Sequence, residues 1–479
     1  MIFRRLFHSH LAQASYLIGC GASHEAIVID PHRDVDLFLN AARAEGVRII
    51  AVTETHVHAD FLSGSHELAA HTGARLYLSG EGRGPWSYSD DLIRDAEAVL
   101  LHDRFVIRIG AVRIEVLHTP GHTPEHLTFL ITDTAVADEP MGAVTGDFVF
   151  VGDIGRPDLL ERAVRVTGSA DAAAHQLYRS LGRLAPYPDY LQVWPGHGAG
   201  SACGRGLSAV PQSTLGYERR HNWALRTGDE NAFVTDVLSG QPDAPAYFKE
   251  MKRLNANGVP PWREVMRPAF VAPDEVVAAL ARGTTVIDTR SADGFAAEHI
   301  PGTINIPFNR AFLTWVGSLV PLEGEVILIG EEAQLGQAVG DLGLIGFDHV
   351  VGYTGPDVVE SWRRGNRALE PVVTASVLQV APRLQSGGVT LLDVRSSSER
   401  AAEHIPGSVH IPLGALSDSL DQLDHTHPIV VHCQSGGRSA IAASVLLARG
   451  FTDVENLEGG LDAWRDAGGS VANDGVSLS

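Results

Sequence analysis

Short apolar runs bounded by Gly, Pro and charged residues recur along the chain. In the first half YLIG, AIVIDP, RIIAVTET and RIEVLHTP are rich in β-branched residues and predict strands. ELAAHTG and the stretch 171–184 carry the wider spacing of a helix. No run reaches about 18 apolar residues without a charge, so no membrane span is expected. The opening MIFRRLFHSHLAQASYLIG lacks a long apolar core and a small-residue cleavage site, so no signal peptide is expected.

The second half repeats itself. TVIDTRSADGFAAEHIPGTINIP (285–307) matches TLLDVRSSSERAAEHIPGSVHIP (390–412). A period this long marks tandem domains rather than a short-repeat solenoid. Each copy reads as a buried strand (VID, LLD), a loop, a helix and a second strand. A further strand and helix follow, beginning at EVILIG in the first copy and at PIVVHC in the second. Alternating strands and helices predict a parallel α/β sheet in each copy. NANGVPPW (255–262) and ALEPVV (368–373) break the periodicity and read as linkers. Three domains are expected: 1–250, 265–367 and 373–479.

Composition adds two points. Lys+Arg 37 against Asp+Glu 58 gives a net charge of −21 in 479 residues. That balance excludes nucleic acid and anionic membrane as partners, because no basic field would drive counterion release. Three cysteines cannot form a disulfide framework, so a reducing cytoplasm is the expected compartment. The 22 histidines are the unusual count, and they ask for a metal.

The histidines fall in an ordered set of loops. The strand RIIAVTET runs into His56-Val57-His58-Ala59-Asp60; then come His118-Thr119-Pro120-Gly121-His122, Thr145-Gly146-Asp147 and Pro195-Gly196-His197-Gly198. His56, His58 and Asp60 cannot share one helix face, but a tight loop after a strand lets them converge on a metal. Strand ends are where α/β sheets place their sites. THVHAD, PGH, TGD and PGHG, in this order and over about half the chain, resemble the metallo-β-lactamase superfamily. That resemblance implies an αββα sandwich. TGDFVFVGDIGRPDL (145–159) and VWPGHGAGSACG (193–204) bring it nearest to the persulfide dioxygenases, relatives of glyoxalase II. The superfamily's dinuclear hydrolases read HxHxDH, whereas Phe61 stands here in the final His position and cannot ligate.

The resemblance implies one Fe(II) per chain on His56, His122 and Asp147, with zinc or manganese as alternatives. Two His and one carboxylate leave coordination positions open for O2 and a substrate. His122 is preferred to His118 because it holds the PGH position. His58, Asp60, His197 and Asp158 are then expected behind the ligands, orienting them or water. Arg156 is a candidate for binding the carboxylate of a thiol cofactor, or else for bracing an aspartate. Cys203 is a candidate persulfide carrier at the mouth of the site, against the alternative of a buried, inert thiol. Cys20 is expected to pack.

The last domain carries a second constellation. PIVVHC ends in Cys433, followed by Gln434-Ser435-Gly436-Gly437-Arg438-Ser439 and the helix AIAASVLLARG. A cysteine between a strand and a helix N-terminus meets converging N–H groups and positive potential, which favour a nucleophilic thiolate. Arg438 would complete an anion cradle for sulfite or thiosulfate, with Gln434, Ser435, Gly436, Gly437 and Ser439 lining it. With Asp393, Arg395, HIPG and LEGGLDAW, this loop resembles the active loop of rhodanese. In the middle domain Leu328, Ile329 or Gly330 falls at the Cys433 position, and EEAQLGQ replaces CQSGGRS. A rhodanese fold without sulfur transfer is expected there, serving spacing, docking or binding.

Together the resemblances imply oxidation of a low-molecular-weight thiol persulfide by O2 to sulfite, joined to rhodanese exchange among persulfide, sulfite and thiosulfate in sulfide detoxification. One alternative is a zinc thioester hydrolase of the glyoxalase II kind carrying a sulfurtransferase. Another is that the rhodanese units dock or sense. Superfamily relatives often form dimers or tetramers, which leaves a homo-oligomer open.

Overall fold

The computed structural model describes residues 1–82, 87–159, 161, 169–262 and 268–473. The start expected for the middle domain at 265, and residues 474–479 of the last, lie outside the described residues. The chain divides into two compact units, one built mainly on residues up to Glu264 and the other mainly on those from Val265 onward.

The first unit holds two six-stranded sheets. One runs in order β1 (Ile2–His8), β2 (Gln13–Cys20), β3 (Glu25–Ile29), β4 (Arg48–Thr53), β5 (Arg75–Ser79) and β6 (Val99–Leu101). The other is a ladder of β7 (Val106–Ile109), β8 (Val112–His118), β9 (Leu127–Asp133), β10 (Gly142–Gly146), β11 (Gln192–Pro195) and β12 (Ser213–Thr214). Tyr16, Ile18, Ile27 and Ile29 meet Val116, Phe129, Val144 and Trp194 between the sheets. Successive strand residues face opposite ways. Leu17 and Val28 therefore turn outward, onto Phe38 and Ala42 of the helix Val35–Ala44 and Leu68 of the helix Ser65–Thr72. Leu130, Ala143 and Val193 turn outward on the other sheet, onto Leu177 of the helix Ser169–Gly182 and Phe233 of the helix Glu230–Leu238. Both faces are covered, which is why YLIG and AIVID read as continuous apolar runs rather than alternating ones. The result is the expected αββα sandwich.

Strand direction places the site. β8 and β10 both run antiparallel to β9, and β11 runs parallel to β10, so the loops after β8, β10 and β11 leave from one edge of their sheet. The linker expected at 255–262 starts later than its sequence suggests. Asn255–Asn257 close the helix Phe248–Asn257, whose buried face carries Phe248, Met251 and Asn255, and Gly258 at φ 100° ends it.

The second unit holds two five-stranded parallel sheets. The first comprises β13 (Ala269–Phe270), β14 (Thr285–Asp288), β15 (Ile304–Asn305), β16 (Val326–Ile329) and β17 (Val350–Thr354), in order β13-β17-β16-β14-β15. The second comprises β18 (Val373–Ala375), β19 (Thr390–Asp393), β20 (Val409–His410), β21 (Ile429–His432) and β22 (Val454–Leu457), in order β18-β22-β21-β19-β20. The topologies are the same. Each has its own core, Val286, Ile327, Val358 and Trp362 in one and Leu391, Val430, Leu461 and Trp464 in the other. Among the described residues no helix is long and apolar enough to cross a membrane.

Candidate functional site

β4 delivers the His56 loop, and Asp30 at the end of β3 fixes it. Asp30 accepts from the Thr55 N–H (2.6 Å) and hydroxyl (2.9 Å), and that hydroxyl oxygen lies 2.9 Å from His56 Nδ1. His56 Nε2 is thereby left as the outward donor atom. His122 Nδ1 lies 3.0 Å from the Arg156 carbonyl, which only accepts, so the proton sits on Nδ1 and Nε2 keeps its lone pair. That Nε2 faces Asp147 Oδ2 at 3.4 Å. One ligand atom each from His56, His122 and Asp147 lies within 4.8 Å of the others, and all three residues are buried. Gly146 turns at φ +49°, and a Cβ there would stand 2.6 Å from Thr55 Oγ1, so only glycine lets β10 end against the His56 loop.

Burial sets the charges. It pushes His122 down to about 3 and His56 well below its usual value, so both rings are neutral lone-pair donors at pH 7. It raises Asp147 to about 6. A buried carboxylate beside two neutral imidazoles is short of positive charge, which a metal cation supplies. The residues therefore fit a divalent ion, and a two-His, one-carboxylate set fits iron.

His58 is placed differently. Its Nε2 sits 3.1 Å from Asp30 Oδ1 and 3.3 Å from Glu54 Oε2. Burial opposes the charged ring, but Asp30, Glu54 and Asp60 outweigh it and push its pKa up to about 10. Phe61 is fully buried and packs against the His58 ring at 4.4 Å. Asn255 donates to the carbonyls of His58 and Phe61 and clamps the loop from the helix. Asp60, His197 and Cys203 form a further buried group, and His197 Nε2 faces Asp147 Oδ1 at 3.5 Å. His118 stands outside both groups, its Nε2 2.8 Å from the Pro124 carbonyl.

Of the two roles open to Arg156, binding a cofactor carboxylate or bracing an aspartate, its contacts match the second. It is completely buried, forks onto Asp158 (2.8 and 2.7 Å) and donates to the Ala202 carbonyl (3.2 Å). Its guanidinium faces protein, so it braces the loops carrying His122 and Cys203. Asp158 answers this arginine and stands behind the site in that sense.

In the last domain Cys433 Sγ accepts from the Gly436 N–H (3.2 Å) and the Ser439 hydroxyl (3.4 Å), at the start of the helix Gly437–Ala448. Burial favours the neutral thiol, but these donors and the Ser439 and Ser435 N–H groups outweigh it and hold the pKa below its usual value. Ser439 is itself fully buried, and its hydroxyl lies 3.0 Å from the Gly436 carbonyl as well as 3.4 Å from the sulfur, so it meets the loop's own groups. The loop is tied down by Leu461 N–H to Cys433 O (2.9 Å) and Asp462 N–H to Gln434 O (3.1 Å). A Cβ on Gly460 would stand 2.5 Å from Cys433 O, which explains the glycines of LEGGLDAW. Arg438 differs from expectation. Both its terminal nitrogens bind Glu399 at 2.6 Å, so it is a fixed charge beside the loop and not a free fork for an anion.

The middle domain's register settles its counterpart. Asp288 pairs with Ile329 as Asp393 pairs with His432, so Gly330 occupies the Cys433 position.

The metallo-beta-lactamase superfamily model matches residues 10–197, and the rhodanese-like domain model matches 272–355 and 376–467. A crystal structure of a metallo-beta-lactamase from Staphylococcus aureus subsp. aureus COL is 40% identical, with TM-score 0.68, covering 74% of this chain and 99% of that one. The chain belongs to the metallo-beta-lactamase superfamily and carries two rhodanese-like domains. The chain is also similar to the mitochondrial persulfide dioxygenase ETHE1 of Bos taurus, 27% identical over 41% of this chain and 68% of the relative. It is likewise similar to the thiosulfate sulfurtransferase GlpE of Pseudomonas savastanoi pv. phaseolicola, 38% identical over 18% of this chain and 80% of the relative. These relatives are enzymes.

Several residues that shape these sites escaped the sequence reading. Asp30 had a signal, since AIVIDP ends a strand in an aspartate as TGD does. Asn255 and Glu399 had none, because their partners lie far along the chain or on the next helix.

Proposed function

We propose that the metallo-beta-lactamase domain is an iron persulfide dioxygenase and that the last rhodanese-like domain is a sulfurtransferase sharing its sulfur species. The observation that carries the first half is the donor set His56, His122 and Asp147, with Phe61 filling the place where a further nitrogen would stand. Iron bound there supplies redox chemistry and open positions for O2 and a sulfur ligand. The overall reaction balances as RSSH + O2 + H2O giving RSH, sulfite and two protons. The chain's residues orient the donors: Thr55 turns His56, the Arg156 carbonyl turns His122, and the buried walls keep bulk water from the reacting sulfur.

In the last domain the Cys433 thiolate attacks the outer sulfur of a persulfide RSSH, the S–S bond breaks, the thiol RSH leaves, and Cys433 keeps the sulfur as a persulfide anion. Sulfite then attacks the outer sulfur, the S–S bond breaks onto Cys433, and thiosulfate leaves. The reverse direction makes persulfide from thiosulfate. The middle domain, 265–367, has no nucleophile and serves as a spacer or docking unit.

The test is anaerobic purification, metal analysis, and O2 uptake with glutathione persulfide. Stoichiometric iron and sulfite formation support the reading. Absence of O2 uptake, or thioester cleavage in its place, overturns it in favour of a glyoxalase II-like hydrolase.

A further inference from the structure

One core residue of the last domain is out of keeping with its neighbours. His432 ends β21, whose other residues are Ile429, Val430 and Val431, and it is completely buried. The repeat supplies a control. Asp288 pairs with Ile329 where Asp393 pairs with His432, so the middle domain fills the same place with a buried isoleucine. The fold therefore does not need an imidazole there, and burying one costs desolvation that an aliphatic side chain avoids. The polar ring stands in the domain that has the nucleophile, one residue before it.

His432 Nδ1 lies 3.3 Å from the Cys433 carbonyl oxygen. That oxygen only accepts, so the proton sits on Nδ1 and Nε2 holds a lone pair. The same oxygen accepts the Leu461 N–H at 2.9 Å. Both of its lone pairs are thus filled, one from the strand and one from the start of the helix Gly460–Asp466. Cys433 Sγ meets the Gly436 N–H and the Ser439 hydroxyl instead. A carbonyl turned toward that sulfur would set a partial negative charge against the thiolate, and against the persulfide anion formed from it.

The groups around His432 keep its ring a neutral donor. Burial, helped by Arg395 and Arg400, outweighs Asp393 and the Cys433 carbonyl and takes the pKa down to about 4. Asp393 Oδ2 stands 3.7 Å from Nε2, but Arg395 holds that carboxylate at 2.6 and 3.0 Å, and Arg400 approaches it at 3.9 Å. No hydrogen bond among the described residues reaches Nε2. Arg438, paired with Glu399, is a charged group acting on Cys433 itself.

We propose that His432 is a positioning residue for sulfur transfer: its Nδ1–H holds the Cys433 carbonyl away from Sγ, so that the loop's N–H groups face the sulfur as thiolate and as persulfide. The inference rests on the sulfurtransferase reading of Cys433 and adds to it a residue that acts only through the loop.

The test reads Cys433 directly as well as through turnover. In full-length, reduced protein the rate of Cys433 alkylation by iodoacetamide is followed against pH, by mass spectrometry of the peptide that carries it. His432→Ile installs the middle domain's own residue, so thermal unfolding should stay in place or rise. The alkylation profile should nevertheless move to higher pH by about half a unit or more. The kcat for thiosulfate and cyanide should fall about three- to tenfold, the worth of one neutral hydrogen bond. His432→Asn puts an amide nitrogen at the Nδ1 position and should recover both. His432→Gln carries the same amide one bond further out and should behave as His432→Ile does, whichever variant is the more stable. An unchanged profile and turnover in His432→Ile and His432→Gln overturns the inference. So does a His432→Asn protein that falls below His432→Ile, since the ring would then serve packing alone. A shifted profile in protein that forms no thiocyanate at all upholds the positioning role and sinks the sulfurtransferase reading instead.

Discussion

In both rhodanese-like domains an aspartate ending the second strand clasps the arginine two residues on, and that arginine reaches a carbonyl eight residues further. Asp288, Arg290 and the Glu298 carbonyl do this in the middle domain; Asp393, Arg395 and the Glu403 carbonyl do it in the last. Strand order and register also agree. The domains part at the next position along the central strand. After His432 four residues, Cys433 to Gly436, precede the helix, whereas after Ile329 only Gly330 and Glu331 do. The shorter loop has too few N–H groups to surround an anion. The frame is retained for folding, and the chemistry resides in the loop it presents.

Removing the nucleophile should give the largest effect. Cys433→Ser should lower thiocyanate formation from thiosulfate and cyanide at least about 10^3-fold, leaving the two domains equally silent. O2 uptake with persulfide should persist. Sulfurtransferase activity that survives would move the chemistry away from this loop.

Next is the charge beside the loop. Glu399→Gln removes one side of the double hydrogen bond to Arg438. Charge-assisted bonds of this kind are worth about 1.5–3 kcal/mol when buried, but solvent reaches this pair and discounts the figure. Roughly a tenfold loss in kcat/KM for thiosulfate is expected, carried mainly by KM. Unchanged kinetics would show that the Arg438 position does not matter to the anion.

A smaller effect is read from pH. The lowered pKa of Cys433 means that more of it is thiolate at a given pH than for a free thiol, and that this thiolate is lost as pH falls through the depressed value. Ser439→Ala removes a donor to the sulfur, so the pKa rises and the acid limb of the rate profile should move to higher pH. An acid limb that stays in place would show that the backbone N–H groups alone hold the thiolate.

How far these differences were legible depends on how local they are. The missing cysteine and the acidic EEAQLGQ were plain in the repeat, because a strand–loop–helix motif is contiguous. The ordered His and Asp loops were legible for the same reason, each sitting at a strand end. Arg156 was ambiguous, since only packing shows whether a guanidinium next to GRPD faces a cavity or Asp158. Arg438 misled, because Glu399 sits on another helix and no pattern links the two. Asn255, placed in a linker by its Gly and Pro neighbours, holds the His58 loop from a helix end.

The smallest expected change comes from trying to arm the middle domain. Gly330→Cys places a thiol at the Cys433 position, yet a Cβ there would stand 2.1 Å from Thr289 Oγ1. That hydroxyl is not idle, since it donates to the Ile329 carbonyl at 2.9 Å. In a Cys433→Ser background Gly330→Cys should restore no thiocyanate formation, and overpacking should cost about 1–3 kcal/mol in that domain's unfolding. Adding Thr289→Ala, which removes the γ atoms and leaves the Thr289 Cβ position 3.5 Å away, relieves the clash and recovers part of that stability, but still gives no activity, because the two-residue loop supplies no cradle. Activity should appear only when Gly330-Glu331 is replaced by the CQSG segment. If Gly330→Cys alone transfers sulfur, the thiol and the helix N-terminus suffice, and the four-residue loop is not what separates the two domains.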